Sequence, residues 1–214
     1  MVQAEPTLFM VDDDVAVLDA ISTMARILGI KSKVYASAHE FLRDYDCGEP
    51  GCLLVDIRMP DMTGFELQAA LPERGVHLPV VFITGHADVS LAVRAIKTGA
   101  IDFLEKPFQQ QKLLDCIRCG FEVDARRREK AESAMLLGRR YETLTPRERQ
   151  VMQLLVEGQF GKQIAAELSI SYKTVEKFRS RVMKKMETRS IAELVLMAMN
   201  LNLFTGKEAA KREF

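Results

Sequence analysis

GCLLVDIRMPDMTG, residues 51–64, decides how the rest of the chain is read. Cys52 to Val55 are four consecutive apolar residues, the pattern of a strand buried on both faces, as in a parallel sheet. The run stops at a carboxylate, Asp56, and then breaks at Pro60 and Gly64. Open α/β sheets place their chemistry outside the carboxyl ends of the strands, so Asp56 stands where a site is expected. A lone aspartate after a strand is more often an ordinary loop residue. The flanking sequence decides between the two readings.

Upstream, Leu8–Val11 is a short apolar strand ending in Asp12-Asp13-Asp14. Apolar residues at 17, 18, 21, 24, 25 and 28 then recur at helical spacing, and Gly29 stops the helix. Lys31–Tyr35 alternates as an edge strand, and Ser37-Ala-His-Glu40 is a capping box opening a second helix. Downstream, a helix is predicted from about Gly64 to Leu71 and a buried strand over Pro79–Ile83, ending at Thr84-Gly85. A helix from Asp88 to Thr98 is closed by Gly99, a last strand covers Asp102–Glu105, and a helix starts near Phe108. Five β/α pairs in strict alternation imply an α/β fold, a doubly wound parallel sheet with right-handed crossovers.

With strand order 2-1-3-4-5, strands one and three adjoin at the topological switch point. Asp12, Asp13 and Asp56 then converge in one crevice, flanked by Thr84 and Lys106. Clustered carboxylates raise one another's pKa unless a cation sits among them. A hard, oxygen-preferring ion such as Mg²⁺ (or Mn²⁺) suits that donor set. An aspartate beside such an ion, a hydroxyl and a lysine is equipped to attack a phosphoryl group.

VDDD (11–14), LVDIRMPDMTG (54–64), FITGH (82–86) and DFLEKPF (102–108) resemble the motifs of a two-component receiver domain, a likeness that spans residues 5–125. The resemblance implies that Asp56 accepts phosphate from a sensor histidine kinase. It also implies that Asp12, Asp13, Asp56 and the Arg58 carbonyl hold Mg²⁺, Asp12 through water. Thr84 and Phe103 would form the switch pair, Lys106 would contact the phosphate, and Lys106–Pro107 would be cis. A competing likeness is to haloacid-dehalogenase-type phosphatases, with Asp12 as nucleophile. It lacks the later acidic motif of that family and leaves Asp56 idle, so the chain is read as a regulator and not an enzyme.

Apolar residues at 113, 114, 117 and 121 continue the last receiver helix into a polar stretch, Glu122–Glu132, that contains Arg126-Arg127-Arg128. It reads as a helical linker with a solvated arginine face, ending at Gly138. Thr145-Pro146-x-Glu148 then signals a helix start, with Val151, Met152, Leu154, Leu155 and Val156 inward and Gly158 as the stop. A short helix over Lys162–Leu168 leads through Ser169-Ile170-Ser171 into a helix from Tyr172 to about Glu187. A final helix over Ile191–Met199 should turn Leu194, Val195 and Met199 inward. In the helix from Tyr172, Val175, Phe178, Val182 and Met186 share one face and Lys173, Lys177, Ser180, Arg181 and Lys184 the other. Two helices joined by a tight turn, the second basic, describe a helix-turn-helix.

LTPRERQV (144–151), KQIAAELSIS (162–171), TVE (174–176) and VMKKM (182–186) are similar to a LuxR-type DNA-binding domain, and the whole chain resembles response regulators of the NarL/FixJ family. The likeness implies contacts to double-stranded DNA from Lys173, Thr174, Glu176, Lys177, Ser180, Arg181 and Lys184. Lys173 and Arg181 fall toward phosphates, and Glu176, Lys177 and Ser180 toward bases. Phe160-Gly161 replaces the family's usual Ser-Asn, Phe178 stands where His is common, and Glu176 where Lys is common. A glutamate accepts from cytosine and cannot pair with guanine acceptors, so the family's base preference does not carry over.

Residues 1–125 hold 11 Lys+Arg against 19 Asp+Glu, net −8, and residues 126–214 hold 19 against 11, net +8. That split assigns nucleic acid to the basic half. The cysteines, 47, 52, 116 and 119, make no disulfide framework, and Cys116-x-x-Cys119 in a helix reads as packing. No apolar run is long enough for a membrane span, and the N-terminus lacks signal-peptide features, which places the protein in the cytoplasm. The expected layout is a receiver at 1–124, a helical linker at 125–140 and a four-helix helix-turn-helix domain at 141–214. Its expected partners are DNA, a histidine kinase, RNA polymerase and a second copy. The second copy would dock through the fourth helix, fifth strand and fifth helix. An RNA-binding or purely protein-binding output is the alternative.

Overall fold

The computed structural model describes residues 5–46, 48–86 and 89–203. The chain divides into two compact units, Met1–Arg128 and Glu129–Phe214. In the first, β1 (Thr7–Val11), β2 (Lys31–Tyr35), β3 (Gly51–Asp56), β4 (Val80–Thr84) and β5 (Asp102–Glu105) form one parallel sheet in the order β2-β1-β3-β4-β5. The strands are joined by α1 (Val15–Ile27), α2 (Ala38–Asp44), α3 (Gly64–Ala70) and α4 (Val89–Lys97). The helix expected to begin at Asp88 is described from Val89, and both Asp88 and Cys47 lie outside the described residues.

Alternation along β3 sorts the core into two layers. Leu53 and Val55 point to one side with Phe9, Phe41, Leu67 and Phe82. Cys52 and Leu54 point to the other with Met10, Ile21, Ile83, Leu104 and Ile117. Every β3 residue is buried, which is why its sequence shows an unbroken apolar run and no alternation. Helix starts follow their caps: Ser37 Oγ accepts from Glu40 N, and Thr63 makes a full capping box with Glu66. Glu40 departs from the expected box, because its carboxylate reaches past Ser37 to accept from Ala36 N at 2.8 Å.

The last helix of the first unit, α5, runs from Gln110 to Glu142, so Gly138 does not end it. The arginine run at its middle is not simply solvated. Asp124, 1% exposed, accepts from Gly51 N at 3.0 Å, Arg127 Nη2 at 2.8 Å and Arg128 Nε at 2.6 Å. Arg128 also donates to the carbonyls of Gly48 and Glu49, tying α5 to the loop that enters β3. Cys116 is buried and donates to Asp102 Oδ2 at 3.1 Å, whereas Cys119 is exposed. Burial and the Asp102 carboxylate push the Cys116 thiol up to about 12, which makes it a poor nucleophile at neutral pH.

In the second unit, α6 (Pro146–Val156), α7 (Gly161–Glu167), α8 (Tyr172–Lys185) and α9 (Ile191–Asn200) close around Val151, Met152, Leu155, Ile164, Val175, Val182, Met186 and Leu194. Leu137 and Tyr141 of α5 pack against the same core. Thr145 and Glu148 form the expected capping box, with Pro146 at the first helical position. Val195 is half-buried, but Met199 faces out and Ala198 is the residue turned inward. One step of register separates that outcome from the expectation.

Candidate functional site

The carboxyl edge of the sheet gathers the first site. Asp12 follows β1, Asp56 ends β3, Thr84 ends β4 and Lys106 follows β5. Since β1 and β3 are neighbours, Asp12 and Asp56 face one crevice, and Lys106 reaches both: Nζ lies 2.6 Å from Asp12 Oδ2 and 2.8 Å from Asp56 Oδ1. The second oxygens are held by backbone amides, Asp14 N donating to Asp12 Oδ1 at 3.0 Å and Arg58 N to Asp56 Oδ2 at 2.5 Å. Asp12 is 1% exposed and Asp56 5%. Gly64 seats the loop beneath them, because a Cβ there would meet the Asp56 carbonyl oxygen at 2.5 Å.

Burial raises the Asp12 carboxyl above its usual range, against the lowering effect of Lys106 and the Asp14 amide. Burial would lower the Lys106 ammonium, but its bonds to Asp12 and Asp56 outweigh that and hold it above the ordinary lysine value. The Lys106 shift reflects one cation held between two carboxylates, and the Asp12 shift reflects burial. Thr84 is buried and exchanges 3.4 Å contacts with the backbone of His86, and Phe103 is half-buried in register with Phe82 of β4. Asp13 is exposed, and Lys106–Pro107 is cis.

Among the described residues no three side chains converge as a ready metal cage. The donor set nevertheless fits a hard divalent cation. Mg²⁺ uses one or two carboxylates and keeps several waters, and two nearly buried carboxylates here share a single positive charge.

The second site is the exposed face of α8. Ser171 caps it by accepting from Thr174 N, and Val175, Phe178, Val182 and Met186 turn into the core. Lys173, Lys177, Ser180, Arg181 and Lys184 are all exposed, as expected. Glu176 is half-buried: its carboxylate lies 3.7 Å from Arg179 Nη1, and a Cβ on Gly161 would be 3.4 Å from its Oε1. That engagement was not legible from helical spacing alone. Asp124 was equally hidden in the sequence, its one signal being an acidic residue three and four positions before two arginines.

Residues 8–118 match the family described as "Response regulator receiver domain", and residues 142–198 match "Bacterial regulatory proteins, luxR family". The chain is 42% identical to the response regulator protein TmoT of Ectopseudomonas mendocina over 92% of this chain and 90% of that protein. It is 41% identical to the transcriptional regulatory protein FixJ of Azorhizobium caulinodans, over 89% and 90%. The solved structure of the response regulator StyR superposes with a TM-score of 0.81 at 42% identity, covering 92% of this chain and 99% of that one. None of the described helices is long and apolar enough to cross a membrane. The chain therefore belongs to the response regulators, as a FixJ-like transcription regulator that joins a receiver domain to a luxR-family DNA-binding domain.

Proposed function

We propose that Asp56 accepts a phosphoryl group from a sensor histidine kinase in the cytoplasm and that this promotes dimerisation and sequence-specific binding to duplex DNA. The observation that carries the reading is Lys106 bridging Asp12 and Asp56 at the carboxyl edge of the sheet. Asp56 Oδ1 would form the new O–P bond as the phosphohistidine N–P bond breaks. Lys106 would then follow the transferred oxygens, offsetting their charge. Asp12, Asp13, Asp56 and the Arg58 carbonyl would hold Mg²⁺, which when bound supplies further charge neutralisation to the phosphoryl group.

Phosphate adds close to two negative charges and new acceptor oxygens, and the Thr84 hydroxyl can turn from His86 to donate to them. Space vacated by Thr84 would admit the Phe103 ring and reshape the face of α4, β5 and α5. Val89, Val93 and Ile96 are already exposed along α4 at three- and four-residue steps, which supports that face as the dimer contact. On α8, Lys173, Arg181 and Lys184 would meet phosphates, and Thr174, Lys177 and Ser180 bases. Glu176 would accept from a base only after leaving Arg179. RNA polymerase is the expected downstream partner.

Incubation with acetyl phosphate and Mg²⁺ followed by intact-mass measurement tests the phosphoacceptor. One phosphate is expected per chain, and none on Asp56→Asn. Full labelling of that variant would remove the assignment.

A further inference from the structure

The Phe160 side chain gives the helix it starts no capping bond, although its backbone N–H donates to Gln163 Oε1. Phe160 occupies the N-cap of α7, where Ser, Thr, Asp or Asn would accept a backbone N–H, and its side chain makes no such bond. Nor is it core: the ring is 76% exposed, more than any other large apolar side chain described in the second unit. A residue that breaks the local capping rule without filling the interior is one for which a functional role is worth testing.

Its neighbours say where that surface lies. A Cβ on Gly161 would stand 2.8 Å from Tyr172 Cε2 and 3.4 Å from Cδ2, so the missing side chain lets the Tyr172 ring lie against the start of α7. Tyr172 is the first residue of α8 and is 52% exposed. Tyr172 thus stands in the first turn of the basic helix and Phe160 immediately precedes the glycine it packs against, with Lys162, Lys173 and Lys177 also exposed. Two exposed aromatic side chains on a cationic surface suit a partner that is anionic outside and apolar within its grooves. The N-terminal turn of a recognition helix is the part that meets base edges. In the major groove the apolar feature on offer is the thymine 5-methyl group.

We propose that Phe160 and Tyr172, seated by Gly161, form an apolar contact between the second unit and duplex DNA, in which the Phe160 ring covers a thymine methyl group. The inference rests on the DNA-binding reading of α8 and adds a specificity element outside the basic stripe. Duplexes selected by the full-length protein from a randomised library provide the probe, and affinity for one of them is followed as a function of salt. Phe160→Ser is expected to bind about fourfold more weakly or worse, the effect of roughly one lost apolar carbon contact. Its salt dependence should match the wild type, because an apolar contact releases no counterions. Lys173→Ala should instead lower the salt slope by about one.

Deoxyuridine in place of thymidine should weaken the wild type by a similar factor and leave Phe160→Ser unmoved. Serine is a good N-cap, so the variant should melt at or above the wild-type temperature, which excludes misfolding as the cause of its loss. Gly161→Ala, which displaces the Tyr172 ring, should reproduce the loss. Unchanged affinity for Phe160→Ser overturns the proposal and leaves the ring to a protein partner. An equal deoxyuridine effect in both proteins overturns it too. A wild type that selects no duplex at all would instead remove the DNA-binding reading of α8 itself.

Discussion

Glu148 shows how a single side chain couples a helix start to a distant helix end. Its backbone and side chain complete the Thr145 capping box, and its carboxylate accepts from Lys185 Nζ at 2.6 Å while only 3% exposed. Burial would raise that carboxyl, but the Lys185 and Thr145 donors prevail and hold it below its ordinary value of 4.5. A carboxylate lowered on folding adds stability that is present above the unfolded value and is lost as pH falls through the folded one. Acid unfolding of the second unit should therefore begin below about pH 4.5, followed by circular dichroism. Glu148→Gln should flatten that acid limb and cost about 1 kcal/mol at pH 7. An unaltered acid limb would show that other carboxylates govern it. The cap itself was legible, because Thr-Pro-x-Glu is a local pattern. Lys185, 37 residues along the chain, was not, since nothing in sequence spacing aligns the end of α8 with the start of α6.

At the scale of elements, α5 is where sequence and structure part most. A glycine costs a helix interior about 1 kcal/mol relative to alanine, which is why Gly138 read as a stop. Leu137 and Tyr141 pack into the core of the second unit on either side of it, and that burial carries the helix on to Glu142. The same helix is fixed to the first unit by Asp124, which no periodicity argument selects because a charged residue counts as exposed by default. Asp124→Ala would leave the Gly51 amide and the Arg127 and Arg128 guanidinium groups without their shared acceptor. It should destabilise the first unit by about 3 kcal/mol in urea unfolding. A loss under about 0.5 kcal/mol would mean that water replaces the carboxylate at no cost. The strands were the easiest elements to read: Lys31–Tyr35 and Asp102–Glu105 fall on the expected residues, because five short runs between turn signals leave little freedom.

For the molecule as a whole, strict β/α alternation and the −8/+8 charge split gave the two functions their places before any side chain was located. What they could not supply was the state of the acidic crevice, where Lys106 bridges two carboxylates and Asp13 stands exposed. The proposed switch is a biased two-state equilibrium that needs a differential contact in the phosphorylated state, and Thr84 is the group that would make it. Thr84→Ala should still take up phosphate but lose most of the phosphorylation-dependent dimer, as read by sedimentation velocity. Wild-type dimerisation in that variant would place the coupling elsewhere. Control of DNA binding by phosphate on Asp56 is open to test in one titration. Affinity for a selected duplex is measured for the full-length protein and for Asp56→Asn, each with and without acetyl phosphate and Mg²⁺. Phosphorylation should tighten binding by the wild type at least about tenfold, or 1.4 kcal/mol, and leave Asp56→Asn unchanged. An equal gain in both proteins, or none in the wild type, would contradict it.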